Sequence, residues 1–264
     1  QHCIPAERHK DLYSDIDFPK PPTFDTDYEG KPKAVAEADM KIGGQGETSY
    51  VQDWNKFMRD YHRVLKGVDE NVGRVLDLLD ELGIADDTVV IFTSDNGYFL
   101  GEFGFFDKRL MYEPSLRIPL VVRYPRMIKP GTEIDEFALN IDFAPTLMEY
   151  MGMPVPKAVD GRSLLPLLGG GHVPDWREDF LYEYYAYPDW HYVKPNKGVR
   201  NNRWKYIHFY DFPKHEYELY DLQNDPLEEH NLYGKPEYEE TAKYMAERLR
   251  QLRVEAGDPD LQFE

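Results

Sequence analysis

The sequence is poor in cysteine, in long apolar runs and in positive charge. Cys3 is the single cysteine, which excludes an internal disulfide framework and a cysteine-rich zinc site. No run approaches the roughly 18 consecutive apolar residues of a membrane-spanning helix, and no signal-peptide pattern opens the chain. We therefore expect no membrane span in these residues. Because Gln1 is not a translation start, we expect further residues upstream of it, so the missing signal pattern is no evidence for a cytoplasmic protein.

Negative charge is in clear excess. There are 49 Asp and Glu residues against 31 Lys and Arg residues, which gives a net charge of -18. Such a balance disfavours nucleic acid or an anionic membrane as the main partner. An anionic substrate would therefore need local cations to hold it.

Apolar spacing predicts an α/β unit at the start of the chain. Residues 50–79 carry apolar side chains at three- and four-residue steps, which predicts one long amphipathic helix with a broad buried face. Apolar runs at 88–92 and 118–125 predict strands buried on both faces, and residues 137–152 predict a strand, a turn and a helix. Residues 1–33 predict an extended surface segment. We expect a mixed sheet with flanking helices.

A second, smaller unit is predicted after residue 176. Residues 157–179 combine proline, three consecutive glycines and charges, as a junction does. Beyond it, Tyr-rich segments separated by polar turns predict a small antiparallel sheet, and residues 236–254 predict a final helix. We therefore divide the chain into residues 1–176 and an α+β unit of residues 177–264.

The four residues "SDNG" follow a predicted strand, at the end of a sheet where ligands gather. Asp95 and Asn96 offer a carboxylate and an amide oxygen, which are hard ligands suited to Ca²⁺ or Mg²⁺. Gly97 lets the backbone turn closely around an ion. Two ligands do not complete such a site, and a plain turn after a strand is the alternative for these four residues alone.

Longer blocks resemble one enzyme family. The segment "FTSDNGYFLGEFGFFDKRLMYEPSLRIPLVVRYP", followed by "NIDFAPTLMEYMG" and "DGRSLLPLL", resembles the carboxyl-terminal half of a type I, formylglycine-dependent sulfatase of the alkaline phosphatase superfamily. The blocks "GVRNNRWKYI" and "ELYDLQNDPLEEHNL" are similar to the small C-terminal subdomain of carbohydrate sulfatases such as the heparan N-sulfatase and N-acetylglucosamine-6-sulfatase group. The resemblance includes nearly all of residues 48–264. It implies part of an alkaline-phosphatase-like fold, a sulfated carbohydrate such as a glycosaminoglycan as substrate, and a periplasmic, secreted or lysosomal location.

The resemblance also implies roles for three residues. It makes Asp95 and Asn96 the second pair of calcium ligands and Lys108 the catalytic contact to the sulfate oxygens. A divalent cation and an ammonium group on opposite sides of a sulfate would stabilise the charge that develops as the S–O bond breaks. A solvated loop lysine is the alternative for Lys108. Two further cations, Arg109 and Arg117, are predicted to make structural ion pairs with neighbouring carboxylates.

Three more residues are predicted to bind substrate. His191 and Arg200 lie among aromatic residues in "EYYAYPDWHYVKPNKGVR", and loops of this subdomain line the substrate pocket in related carbohydrate sulfatases. Aromatic faces suit sugar rings, and His or Arg suits their hydroxyl and sulfate groups. His2 lies in "QHCIPAERHKDLYSD", which resembles a family segment with an active-site histidine. The alternatives are a packing loop for the first two residues and a solvated terminal histidine for the third.

The block that carries the family's nucleophile is absent. In the family, a cysteine or serine in a C-x-P-S-R type motif is oxidised to formylglycine well upstream of the Asp-Asn pair. Cys3 opens a similar "CIPAE", but Arg8 falls one position late and only 92 positions separate the cysteine from Asp95. We therefore predict that Cys3 is an ordinary thiol, that formylglycine belongs to an upstream part, and that this chain alone is inactive. Phe103 stands where many relatives have histidine.

Two rival functions follow from the same residues. One is a phosphatase, phosphodiesterase or phosphonate hydrolase of the superfamily, because phosphate and sulfate esters share tetrahedral geometry. The other is a noncatalytic carbohydrate-binding homologue, which Phe103 and the aromatic loops favour. The residues do not select the sugar, the sulfated position or the oligomeric state.

Overall fold

A computed structural model describes residues 3–188, 190–211 and 214–258, and the predicted contact His2 lies outside them. The α-helices of this part of the chain are α1 (Lys33–Ala36), α2 (Trp54–Glu81), α3 (Glu113–Leu116), α4 (Phe143–Tyr150), α5 (Leu165–Leu168) and α6 (Glu239–Glu255). The β-strands are β1 (Val90–Thr93), β2 (Phe99–Leu100), β3 (Phe106–Asp107), β4 (Leu120–Arg123), β5 (Asp179–Tyr184), β6 (Asn196–Asn201), β7 (Trp204–Asp211) and β8 (Lys214–Asp221). None of the described helices has the length and apolar character needed to cross a membrane.

Helix α2 begins and ends where the sequence indicates. The side chain of Asp53 accepts a hydrogen bond from the Lys56 amide at 2.6 Å, which satisfies one of the free N–H groups of the first turn. Gly83 adopts φ +67°, and the Ile84 amide then reaches back to the Leu79 carbonyl at 3.0 Å. This is the left-handed termination that glycine favours. The predicted long helix is confirmed, with the bounds Trp54–Glu81.

The predicted broad buried face of α2 is wrong for its second half. Phe57 and Met58, near the start, are buried. Val68, Val75 and Leu78, which lie on one face, are 43%, 57% and 51% exposed. The spacing of apolar residues identifies a helix face that another element can bury, but no element among the described residues packs against this part of the face.

Strands β1 and β4 form a two-stranded antiparallel sheet, and only one of its faces is covered. Val122 and Leu120 pack against the Leu164 cluster from α5 and its neighbours. Phe92 and Val121, which are cross-strand partners, are 43% and 62% exposed on the other face. The strands themselves are confirmed, whereas the prediction that they are buried on both faces is wrong for the described chain.

The strand predicted at the start of residues 137–152 is replaced by a 3₁₀ turn, Asn140–Asp142, which leads into α4. The reason is the buried carboxylate of Asp142. It accepts the Leu139 amide at 2.8 Å and the Arg162 amide at 2.8 Å, and it pairs with Arg177. These bonds turn the chain where an extended strand would have run straight on.

The carboxyl-terminal unit is the predicted α+β arrangement. Its sheet runs in the order β5-β6-β7-β8 with every neighbour antiparallel. Helix α6 packs Met245 and Leu249 against Val199 and Leu219 of the sheet. The first strand starts at Asp179, close to the predicted junction, and the division into two domains stays a prediction.

One apolar core joins the two predicted units. Phe99, Phe105 and Tyr112 come from the region of the β2–β3 hairpin, and Ile207 and Tyr220 come from the carboxyl-terminal sheet. All five are buried. The hairpin is therefore held against a rigid sheet, and this packing positions the residues considered next.

Candidate functional site

Asp95 and Asn96 lie in the turn that leaves β1. The next residue, Gly97, is pressed against α3, because its amide donates to the Ser115 carbonyl at 2.9 Å. A Cβ atom at Gly97 would lie 2.1 Å from the Pro114 carbonyl oxygen, a distance that no side chain tolerates. Glycine is required here because two backbone segments meet, and the contact fixes where the Asp-Asn pair projects.

The pair offers oxygens suited to a hard cation. Asp95 is exposed; its Oδ1 accepts the Asn96 amide at 3.0 Å. The side-chain nitrogen of Asn96, Nδ2, donates to the Gly97 carbonyl at 2.6 Å. Among the described residues, no hydrogen-bond donor contacts Asp95 Oδ2 or Asn96 Oδ1. These two oxygens fit Ca²⁺ or Mg²⁺ chemistry, although nowhere in the described ranges do three or more His, Cys, Asp or Glu side chains form a complete metal site.

Lys108 directly follows β3, the second strand of the β2–β3 hairpin. Asp107, the residue before it, is the cross-strand partner of Phe99, three residues after Asn96. The Lys108 side chain is 31% exposed, and its Nζ lies 3.7 Å from Asp107 Oδ1. The nine residues 98–106, between "SDNG" and "DKR", contain most of this hairpin.

Asp107 is the centre of a buried charge cluster. Its carboxylate contacts Arg109 Nη1 at 2.5 Å and His191 Nε2 at 2.7 Å. Burial raises the pKa of Asp107, but the hydrogen bond from His191 and the charges of Arg109, His191 and Lys108 outweigh burial, so the net pKa lies below its usual value. Asp107 is therefore ionised at neutral pH. The predicted structural pair of Arg109 is confirmed.

His191 is 1% exposed, and its Nδ1 lies 2.7 Å from the Asp39 carbonyl oxygen. The structure thus places this predicted substrate contact inside the fold, against Asp107. Direct contact with substrate stays a prediction for His191.

Arg200 is held by a carboxylate that is itself anchored in the core. Its guanidinium donates to both oxygens of Glu113 at 3.2 and 3.1 Å, and Lys205 Nζ lies 2.8 Å from the same carboxylate. Burial alone would raise the pKa of Glu113, but Lys205 and Arg200 outweigh it and lower this pKa to about 2. Lys205, fully buried, also contacts Glu228 at 2.6 Å. Arg200 therefore has a fixed position.

A cavity of about 650 Å³ joins the Asp-Asn pair to Arg200. This size suits a small saccharide. Its wall includes the aromatic residues Phe137, Phe180 and Tyr182. Lys108 is not among the residues that line this cavity.

Arg117 is a cation that the sequence pattern did not single out for binding. It is exposed, it lines the same cavity as Asp95, and it makes no ion pair with any residue in the described ranges. The predicted structural pair of Arg117 is therefore not formed there. A lone arginine between two apolar segments carries no local signal, because the cavity is built by residues distant in sequence.

Two other residues behave as packing groups. Cys3 is half-buried, and burial, with a smaller contribution from Asp60, raises the pKa of its thiol, so it is no activated nucleophile. Phe103 is 2% exposed; its ring centroid lies 5.0 Å from that of Tyr112, with Lys31 Nζ 4.6 Å from its own centroid. Phe103 therefore fills the core beside the hairpin and does not line the cavity with Asp95.

Two family models match the chain. One, described as "Sulfatase", matches residues 4–153, and the other, described as "N-sulphoglucosamine sulphohydrolase, C-terminal", matches residues 101–255.

Individual relatives match almost the whole chain. An N-acetylglucosamine-6-O-sulfatase of Bacteroides thetaiotaomicron is 35% identical over 98% of this chain and 57% of its own length. A multifunctional alkaline phosphatase superfamily protein of Trinickia caryophylli is 34% identical over 83% of this chain and 44% of its own length. A solved structure described as a complex with its substrate D-glucosamine-2-N,6-O-disulfate is similar with a TM-score of 0.92 at 33% identity, over 98% of this chain and 64% of that one. The chain spans about half the length of these curated relatives and has the alkaline-phosphatase-like fold of such enzymes.

Proposed function

Because the chain belongs to the sulfatase family, we propose that the protein it forms part of is a sulfuric ester hydrolase acting on a sulfated carbohydrate. The observation that carries this proposal is the β2–β3 register, in which Asp107, the neighbour of Lys108, pairs with Phe99, three residues after Asn96. A cation site and an ammonium group around one space are what a tetrahedral anion requires. We propose a periplasmic, secreted or lysosomal location, as the family resemblance implies.

The chain's own residues supply charge and position. Asp95 Oδ2 and Asn96 Oδ1 would hold Ca²⁺, with Mg²⁺ as the alternative. A divalent cation bound there would act as a Lewis acid toward a sulfate oxygen. Lys108 would donate hydrogen bonds to the sulfate oxygens, where negative charge increases as the S–O bond breaks. Formylglycine, the nucleophile of the family, is proposed to come from a part of the protein outside these residues.

The cavity would bind the sugar. Arg200, fixed by Glu113, and Arg117 present guanidinium groups to hydroxyl or sulfate oxygens. The rings of Phe137 and Tyr182 offer apolar faces to a pyranose. The names of the relatives favour a sulfated glucosamine as the sugar. Substrate contacts from His191 and His2 remain predictions within this proposal.

The test is sulfate release by the product of the complete coding sequence. Glucosamine 6-sulfate, glucosamine 2-N-sulfate and, as a matched arm, a phosphonate monoester are supplied with and without a chelator. We expect sulfate release that the chelator abolishes and added Ca²⁺ restores. Turnover of the phosphonate ester alone would contradict the proposal in favour of phosphoryl chemistry. Saccharide binding without turnover would identify a noncatalytic homologue.

A further inference from the structure

A buried histidine from the carboxyl-terminal unit contacts the turn that carries Lys108. His191 Nδ1 lies 2.7 Å from the Asp39 carbonyl oxygen, and its Nε2 lies 2.7 Å from Asp107 Oδ2. A carbonyl oxygen only accepts hydrogen bonds, and so does an ionised carboxylate. Each ring nitrogen of His191 thus faces an oxygen acceptor. Thr48 Oγ1 lies 3.0 Å from Nδ1 and donates its hydrogen to the Asp39 carboxylate at 2.8 Å.

The turn that this histidine contacts is strained. Asp107 has φ +75° and Arg109 has φ +102°, so the residues on both sides of Lys108 lie in the left-handed region that side chains avoid. Such residues persist only where the surroundings hold them. Here the holding groups converge on one carboxylate, because Arg109 and His191 both contact Asp107 Oδ2. The direction of Lys108 thus depends on the bonds to Asp107.

Lys108 is close enough to Asp107 to form a direct ion pair with it after a small movement. Its Nζ is 3.7 Å from Asp107 Oδ1, beyond hydrogen-bond distance, while the other oxygen is already satisfied by two donors. If the hydrogen bond from His191 were lost, the Asp107 carboxylate would be one partner short and Lys108 Nζ could close the gap. A lysine in a direct ion pair with Asp107 would be withdrawn from a sulfate oxygen.

We propose that His191 is a positioning residue that satisfies Asp107, fixes the left-handed turn and leaves the Lys108 ammonium free for substrate. The carboxyl-terminal unit then takes part in building the sulfate-binding site. The role in turnover rests on the proposed function, whereas the position of Lys108 can be measured without it.

Two substitutions separate the two bonds of the ring. In His191→Asn the side-chain amide can replace Nδ1 toward Asp39 but does not reach Asp107, and asparagine tolerates the φ of +67° at this residue. In His191→Gln the longer amide can replace Nε2 toward Asp107, on a backbone that glutamine tolerates less well. We expect His191→Asn to keep the higher melting temperature and to lose about 10- to 100-fold in kcat, because a displacement of about 1 Å has that effect. His191→Gln is expected to be less stable and more active.

One further measurement does not require turnover. Peptide mass spectrometry is expected to show slower labelling of Lys108 by an amine-reactive reagent in His191→Asn than in wild type or His191→Gln. Slower labelling without sulfatase activity in any protein would sustain the positioning role and overturn only the proposed function. Activity and labelling that follow melting temperature in both variants would overturn the inference.

Discussion

At the scale of single residues, Lys108 lies between two residues with positive φ and next to a buried carboxylate. Lys108→Ala is predicted to lower kcat of the full-length enzyme by about 100- to 1000-fold, because one donor to the developing charge is lost. KM is expected to change little. Steady-state kinetics on glucosamine 6-sulfate provides the measurement, and Lys66→Ala, an exposed lysine on α2, is the matched control. A large rise in KM at unchanged kcat would instead make Lys108 a general anion-binding residue.

The ionisation of Glu113 predicts that the stability of the fold depends on pH. Its pKa falls from 4.5 to about 2 in the folded protein, so its ionised form stabilises the fold by about 3 kcal/mol at neutral pH. For a lowered pKa, this contribution is fully present above pH 4.5 and is lost as the pH falls through about 2. Glu113→Gln is therefore expected to reduce the free energy of unfolding strongly at pH 7 and less at pH 3.

Urea unfolding of both proteins at pH 7, 4 and 3 measures this difference. Glu247→Gln is the control, because Glu247 pairs with Arg250 on the exposed surface of α6 and its loss should not be resolved. A pH-independent effect of Glu113→Gln would show that its charge is not the stabilising feature.

At the scale of elements, the contact between the β1 turn and α3 controls the metal ligands. Gly97→Ala would place a Cβ 2.1 Å from the Pro114 carbonyl, so the turn and α3 must separate. We expect a loss of about 1–3 kcal/mol in stability and weaker Ca²⁺ binding by calorimetry. Gly73→Ala is the matched control, since that Cβ would meet nothing within 4 Å in α2, and it is expected to gain about 0.5–1 kcal/mol. Unchanged Ca²⁺ affinity in Gly97→Ala would show that Gly97 does not control the position of the metal ligands.

The elements that the sequence predicted well are those with a strong local signal. Helix α2 has its Asp53 cap and its Gly83 stop, and the Tyr-rich strands have turn residues between them. The 3₁₀ turn at Asn140–Asp142 was missed because it depends on the contacts of Asp142 with Arg162 and Arg177, which are distant in sequence.

The candidate site shows the same division. Asp95 and Asn96 were proposed from the SDNG motif and Lys108 from the family resemblance, and the roles of all three remain predictions. The burial of His191 behind Asp107 was not predictable, because the contact spans 84 positions. Arg117 was missed for a similar reason, since the cavity it lines includes Arg200 from a different unit.

On the scale of the whole molecule, a buried ionic network ties the units together. Lys205 contacts Glu113 of α3 and Glu228, while Lys31 donates to the Glu228 carbonyl at 2.6 Å. Lys205→Met would leave two buried carboxylates short of a partner. We expect a loss of about 3–5 kcal/mol in the free energy of unfolding.

Urea denaturation provides the measurement. Lys243→Met is the matched control, because Lys243 makes exposed pairs with Glu239 and Glu240 that should contribute nothing resolvable. Equal stability of the two variants would mean that the buried network does not hold the units together.

The bare apolar side chains of α2 and of the β1–β4 pair have a consequence for the behaviour of this chain in solution. Val75 and Val121 are more than half exposed on a molecule whose net charge is -18. Mutual repulsion should keep copies apart in dilute buffer, but at 1 M salt the screening length shrinks to about 3 Å and the repulsion disappears. Light scattering should then rise with salt, and Val75→Glu should delay the rise. The colloidal stability of the chain therefore depends on whether electrostatic repulsion acts at a longer range than the attraction between its exposed apolar side chains.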